Sequence, residues 1–190
     1  MSILKSLNPD NQTYITKRPS DTLSTESSSF FWDSLFNNVN CDIDTAHRVL
    51  APIQTASERC QVTCFYVQAI IANSSVFLVS NTGGTDSLNL TKSGACWLLG
   101  NASSCALSMD HSTVDDCHAV ICYMPRDGFS IVDVGSQTGT RLNRRRLAAH
   151  KRRQLRNGDM IELGNVMFEF FVDNLDRRDY EIDAIDDTYF

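Results

Sequence analysis

The chain has 190 residues, 42% of them hydrophobic and 21% charged, with a formal net charge of −6. That length holds one ordinary domain with appendages, or two very small domains. The charge excludes a protein that is basic all over, and the apolar share is that of a folded globular chain. The seven cysteines, Cys41, Cys60, Cys64, Cys96, Cys105, Cys117 and Cys122, make neither an even framework nor a CxxC ligand pattern. They read as reduced core thiols in a reducing compartment, with no metal and no cofactor, and the expected localisation is cytoplasmic.

Residues 1–29 are polar, rich in Ser, Thr and Asn, and without periodicity, so they read as a flexible tail. Met1 to Gln12 has no apolar core of the length a secretory signal needs. Residues 30–61 read as an extension with short helices. Ser29 is a candidate cap, and Phe31 with Leu35 and Trp32 with Phe36 are i,i+4 pairs. Two readings stay open for them: a helix packed on its own domain, or a partner helix that docks in another protein's groove. Asp42 to Ala51 is a second helix candidate, expected to end at Pro52.

From residue 62 the signal changes to strands, and 62–173 reads as one β-sandwich domain. No charged residue lies between Arg59 and Asp86. The longest apolar piece there falls far short of the ~20 residues of a membrane span. Two strands, Val62–Ile71 and Val76–Ser80, joined by a turn, are expected instead. Further candidates are Leu88–Leu90, Cys96–Leu99, Ala119–Met124, Ser130–Asp133, Thr140–Leu142, Met160–Leu163 and Val166–Val172. Gly100-Asn101, Asp127-Gly128, Gly135, Gly139, Gly158-Asp159 and Gly164-Asn165 punctuate them. Short strands with such frequent turns define an all-β sandwich or barrel. Residues 174–190 read as an acidic tail: from Asp173 onward seven acids face two arginines.

In order and spacing, five pieces of this region resemble the forkhead-associated (FHA) family over residues 76–172. They are Trp97-Leu98-Leu99-Gly100-Asn101, Asp115-Asp116-Cys117-His118, Asp133-Val134-Gly135-Ser136-Gln137-Thr138-Gly139-Thr140, Leu142-Asn143, and Leu155-Arg156-Asn157-Gly158-Asp159. The resemblance implies a sandwich of about 10–11 short strands and a protein-interaction module that reads phosphothreonine through loops at one end. In that pattern Gly100, His118, Gly135, Ser136, Gly139, Asn143, Gly158 and Asp159 are scaffold positions, and His118 braces the loops.

Carried over residue by residue, the phosphate-reading positions change character. The family's arginine after glycine falls on Asn101, and its serine falls on Asp115, with Asp116 next. The loop asparagine becomes Thr138, preceded by Gln137. A phosphothreonine brings about −1.5 to −2 charges and needs donors. Two carboxylates are acceptors and add like charge. The ordinary phosphothreonine pocket is therefore expected to be non-functional.

Eight of the seventeen Lys and Arg residues lie between positions 141 and 156 with no acid among them: Arg141, Arg144, Arg145, Arg146, Lys151, Arg152, Arg153 and Arg156. Three readings compete for this stretch. It is a solvated surface partly neutralised by the acidic tail, a docking surface for an acidic protein partner, or a nucleic-acid backbone contact. The hairpin at Asn143 is expected at the opposite end from the phosphopeptide loops, with the following loop returning toward them. No nucleophile with a base, metal-ligand cluster or phosphate cradle is apparent, so the expected function is a non-enzymatic adaptor or scaffold. The alternatives are a phosphothreonine reader with a relocated cation, for which Arg141 is nearest, and a nucleic-acid-associated factor.

Overall fold

The structure is a computed structural model that describes residues 43–72, 75–82 and 88–174. The helix candidate Phe31–Phe36 and the tails 1–29 and 175–190 lie outside the described residues.

Twelve strands and one helix make up the described chain. The helix α1 spans Ile43–Arg59. The strands are β1 (Tyr66–Ala72), β2 (Ser75–Ser80), β3 (Asn89–Leu90), β4 (Cys96–Gly100), β5 (Leu107–Ser108) and β6 (Ala119–Met124). They continue with β7 (Gly128–Asp133), β8 (Thr140–Leu142), β9 (Arg145–Arg146), β10 (Arg153–Gln154), β11 (Asp159–Leu163) and β12 (Val166–Asn174). The first sheet runs β3-β2-β1-β12-β11-β8-β9, and the second runs β10-β7-β6-β4-β5. The fold is an all-β sandwich.

Alternating side chains of both sheets fill the space between them: Val67, Ala69, Leu78, Ile161, Phe168 and Phe170 from the first, Trp97, Leu99, Ile121, Phe129 and Ile131 from the second. The Phe129 and Phe170 rings meet edge-on at 5.4 Å, at the centre of that core. Each fully buried side chain of this size contributes about 1.5–3 kcal/mol.

The charge-free run of the sequence becomes β1 and β2, and its lack of alternation has a reason. Every residue of β1 is buried because both faces of that strand are covered. One face joins the sandwich core. The other carries Tyr66, Ile70 and Ala72, against which α1 lays Val49, Ile53 and Ala56. Those three helix positions are i, i+4 and i+7, one face of an α-helix.

The helix corrects an expectation. Pro52 does not end it but lies inside it. An internal proline costs roughly 3 kcal/mol. Here Val49 and Ile53 on either side of Pro52 are anchored in the sheet, and the Pro52 carbonyl accepts a hydrogen bond from Arg59 Nη2 at 2.8 Å. Packing overrides local preference. The same arginine stacks over the Phe171 ring at 4.6 Å and reaches Gln68 Oε1 in β1.

The link from α1 to β1 is fixed by one side chain. Glu169 of β12 is 3% exposed. Its carboxylate accepts N–H bonds from Gln61 (2.8 and 3.1 Å), Val62 (2.7 Å) and Thr63 (3.1 Å). These bonds occupy the backbone just before Tyr66, so β1 starts there and not at Val62.

Candidate interaction loops and basic edge

Three loops gather at one end of the sandwich: 101–106 between β4 and β5, 109–118 between β5 and β6, and 134–139 between β7 and β8. They hold one another through backbone groups. The Asn101 N–H donates to the Asp115 carbonyl at 2.9 Å, and the Met109 N–H donates to the Gly100 carbonyl at 2.9 Å. Gly100 sits where the first two loops touch. A Cβ there would lie 2.1 Å from the Asp116 carbonyl oxygen, so only glycine fits.

Asp115, one of the positions singled out in the sequence, bridges two loops. Its Oδ2 accepts the Gln137 N–H at 2.6 Å, while its own N–H donates to His118 Nδ1 at 3.1 Å. Thr138 makes the other link, its Oγ1 donating to the Thr113 carbonyl at 2.8 Å. Asn101, Asp115, Gln137 and Thr138 thus come together at one loop junction, with Asp116 exposed beside them. His118 is fully buried. Because Nδ1 accepts a bond, Nε2 carries the proton of the neutral ring, and among the described residues Nε2 has no partner.

The 134–139 loop rests on Asp133, which is 2% exposed. Oδ1 accepts the N–H groups of Gly135 (2.8 Å) and Ser136 (2.9 Å). Oδ2 accepts Ser136 Oγ–H (2.7 Å) and the Thr140 N–H (2.8 Å). Burial works against the charge. The bonds from Ser136, Thr140 and the two amides outweigh it and hold this carboxyl far below the usual carboxylate range. Sequence reasoning placed Asp133 in the motif but gave it no role; the signal was a carboxylate two and three residues before Gly135 and Ser136, the spacing of a side chain that caps its own turn.

The basic segment forms the opposite edge of both sheets, since β9 ends the first and β10 ends the second. Its hairpin tip, Asn143-Arg144, lies away from the loops. Asn143 Nδ2 donates to Asp159 Oδ1 at 2.8 Å, which ties the tip to the β10–β11 turn at Gly158-Asp159. The strands are so short that the chain is back at the loops by Arg146. The guanidinium of Arg146 covers Gly139, and the His150 ring lies against Gly135. Arg141, the sequence's nearest candidate for a relocated cation, instead faces Glu162 at 3.8 Å on the neighbouring strand. The placement of Arg146 was hidden in the sequence, because it depends on two strands of three and two residues.

Between the two edges runs an open groove of about 690 Å³, lined by Leu142, Asn143, Arg145, Arg146, Leu147 and Arg153. Lys151, Arg152 and Arg156 are exposed as well. The tip is a two-residue turn with both residues left-handed, Asn143 at φ 50° and Arg144 at φ 67°. A left-handed conformation costs an L-residue about 1–2 kcal/mol, and glycine adopts it freely. Arg144→Gly should therefore raise stability by about 0.5–1 kcal/mol, read as a higher urea midpoint.

The described chain is a sandwich that displays three interlocked loops at one end. Residues 97–164 match the model of the FHA domain, and this part of the chain is an FHA domain. None of the curated proteins matches the chain. Solved structures similar to it include the FHA domain of an Arabidopsis thaliana hypothetical protein, at 24% identity, covering 47% of this chain and 77% of that one with a TM-score of 0.41. An FHA domain from Chlamydia trachomatis is 18% identical over 47% of this chain and 87% of that one, TM-score 0.40. The N-terminal FHA domain of S. cerevisiae Rad53p, in complex with a phosphothreonine peptide, is 26% identical over 35% of this chain and 53% of that one, TM-score 0.32. Among the described residues no helix is long and apolar enough to cross a membrane.

Proposed function

We propose that this chain is a non-enzymatic protein-interaction module, an adaptor or scaffold, that holds an acidic partner segment at its basic edge and does not read phosphothreonine at its loop end. The observation that carries this reading is the Asp115 carboxylate, placed at the loop junction and bonded to the Gln137 N–H at 2.6 Å. A phosphate dianion needs donors there. Asp115 and Asp116 are acceptors, and losing one charged hydrogen bond costs about 1.5–3 kcal/mol before any repulsion.

Apart from Arg146, which lies on Gly139 of the loop end, the cations stand elsewhere, beside two sheet edges whose outer hydrogen-bonding groups face no further strand among the described residues. An extended acidic segment fits this place: its backbone adds to a free edge, its carboxylates meet Arg145, Arg146 and Arg153, and its apolar residues meet Leu142 and Leu147. Holding Arg144 in a conformation that glycine would adopt freely is consistent with a role for the charge at that position.

Titration of the full chain with phosphothreonine peptide libraries and their unphosphorylated counterparts tests the reading. The expected result is no gain from phosphate. Capture of Asp/Glu-rich peptides should fall at least about tenfold when Arg144, Arg145 and Arg146 are changed to Glu, which is about 1.4 kcal/mol. Micromolar binding that requires phosphate overturns it in favour of a second reading, a phosphothreonine reader with a relocated cation. Arg146, lying on Gly139, is the residue that reading would use, and Arg146→Ala would then abolish the phosphate dependence.

A further inference from the structure

We propose that Cys96 and Cys122 are a modification site: a cross-strand thiol pair that hydroperoxides oxidise to a disulfide and that thiol reductants restore. The two cysteines are register partners on β4 and β6. The Tyr123 N–H donates to the Ala95 carbonyl at 2.7 Å, which makes Ala95 and Tyr123 the hydrogen-bonded pair and leaves Cys96 and Cys122 as the adjacent non-hydrogen-bonded one. In that kind of pair the Cα atoms stand about 4.5 Å apart and the side chains lie close. A disulfide accepts Cα separations of roughly 4.4–6.8 Å. The two Sγ atoms are already 2.7 Å apart.

The pair sits on the outer face of the second sheet, since the neighbouring Trp97 and Ile121 point into the core. Its members differ in the way such chemistry requires. Cys96 is exposed and Cys122 is buried. Burial and then the Cys96 neighbour push the Cys122 thiol up to about 11, which keeps it protonated and leaves Cys96 as the thiol an oxidant meets first. Other cysteines are engaged differently: Cys60 donates to the Ala56 and Phe65 carbonyls, and Cys105 to the Asp116 carbonyl.

The chemistry balances. The Cys96 thiolate attacks one oxygen of hydrogen peroxide; the O–O bond breaks, leaving Cys96 sulfenic acid and, once a proton is taken up, one water. The Cys122 sulfur then attacks the Cys96 sulfur, so that an S–S bond forms as the S–O bond breaks. The departing hydroxide takes the Cys122 proton and leaves as a second water. Two thiols lose two protons and two electrons, and peroxide is reduced to two waters.

The full chain carrying Cys105→Ser and Cys117→Ser is treated with hydrogen peroxide, blocked with an alkylating agent and cleaved before aspartate. This separates Cys96, in Asp86–Met109, from Cys122, in Asp116–Arg126. The expected product is one cross-linked peptide pair from within a single chain, lost on addition of dithiothreitol. A parallel sample of Cys96→Ser in the otherwise native chain guards against misfolding of the first variant. There Cys122 should remain open to alkylation after peroxide, whereas in the native chain it should not. Cys96 advancing to sulfinic acid while Cys122 stays alkylatable, or Cys96 linking two chains, would overturn the proposal.

Discussion

Asp133→Ala should lower the stability of the domain by about 3–5 kcal/mol, read as a fall in the urea midpoint. The size follows from what the carboxylate holds. Four donors converge on two oxygens at 2.7–2.9 Å: the Gly135, Ser136 and Thr140 N–H groups and the Ser136 hydroxyl. Thr140 is fully buried, so its amide loses its partner where water does not reach. Asp133→Asn should not rescue the fold. Each oxygen faces a backbone N–H, so an amide nitrogen at either place meets a donor, and the substitution should cost about 2–3 kcal/mol. The loop 134–139 then loosens, and with it the bond from Gln137 to Asp115.

The same carboxylate sets an acid dependence. Its folded-state pKa lies far below that of the unfolded chain, about 3.9 for an aspartate. A depressed folded value contributes stability that is fully present above the unfolded value and is lost as the pH falls toward the folded one. The difference in urea midpoint between the native chain and Asp133→Asn should therefore be constant near neutral pH and shrink below about pH 4. A difference that stays the same down to pH 2 would show that Asp133 titrates alike in both states.

What the sequence revealed, and what it hid, divides along physical lines. The long strands were legible: β6, β7, β11 and β12 announce themselves by apolar runs between glycine turns, and Gly135, Gly139 and Gly158 all take positive φ. The two-residue strands β5, β9 and β10 were not, because two residues carry no period. Their pairing comes from the neighbours β4, β8 and β7. The helix α1 was cut short at Pro52 because local preference was weighed without the sheet beneath it. The positions at the loop junction were legible from motif order, since Asn101, Asp115, Gln137 and Thr138 do meet there. Their bonds were not legible, because the link between Asp115 and Gln137 spans 22 residues. The groove was hidden for the same reason: Leu142 and Arg153 share it only because β9 and β10 end different sheets on the same side.

Glu169→Ala should detach α1 from the sandwich, with a loss of about 3–5 kcal/mol. The side chain stands on β12, on the face opposite Phe168 and Phe170, and the amides of Gln61, Val62 and Thr63 converge on its carboxylate. Without it, three N–H groups in the corner between α1 and β1 have no acceptor, and the helix loses the bend that aims Val49, Ile53 and Ala56 at the sheet. Glu169→Gln keeps one carbonyl oxygen for these donors and should cost less, about 1–2 kcal/mol. Amide hydrogen exchange separates local from global damage. In Glu169→Ala, protection should collapse in 49–63 and fall in β1 and β2, whose outer face the helix covers. It should persist in β6, β7 and β11, whose bonds lie in the second sheet or on the far side of β12. If β6 and β7 lose protection together with the helix, α1 is part of one cooperative unit with the FHA domain, and residues 97–164 need that helix to fold.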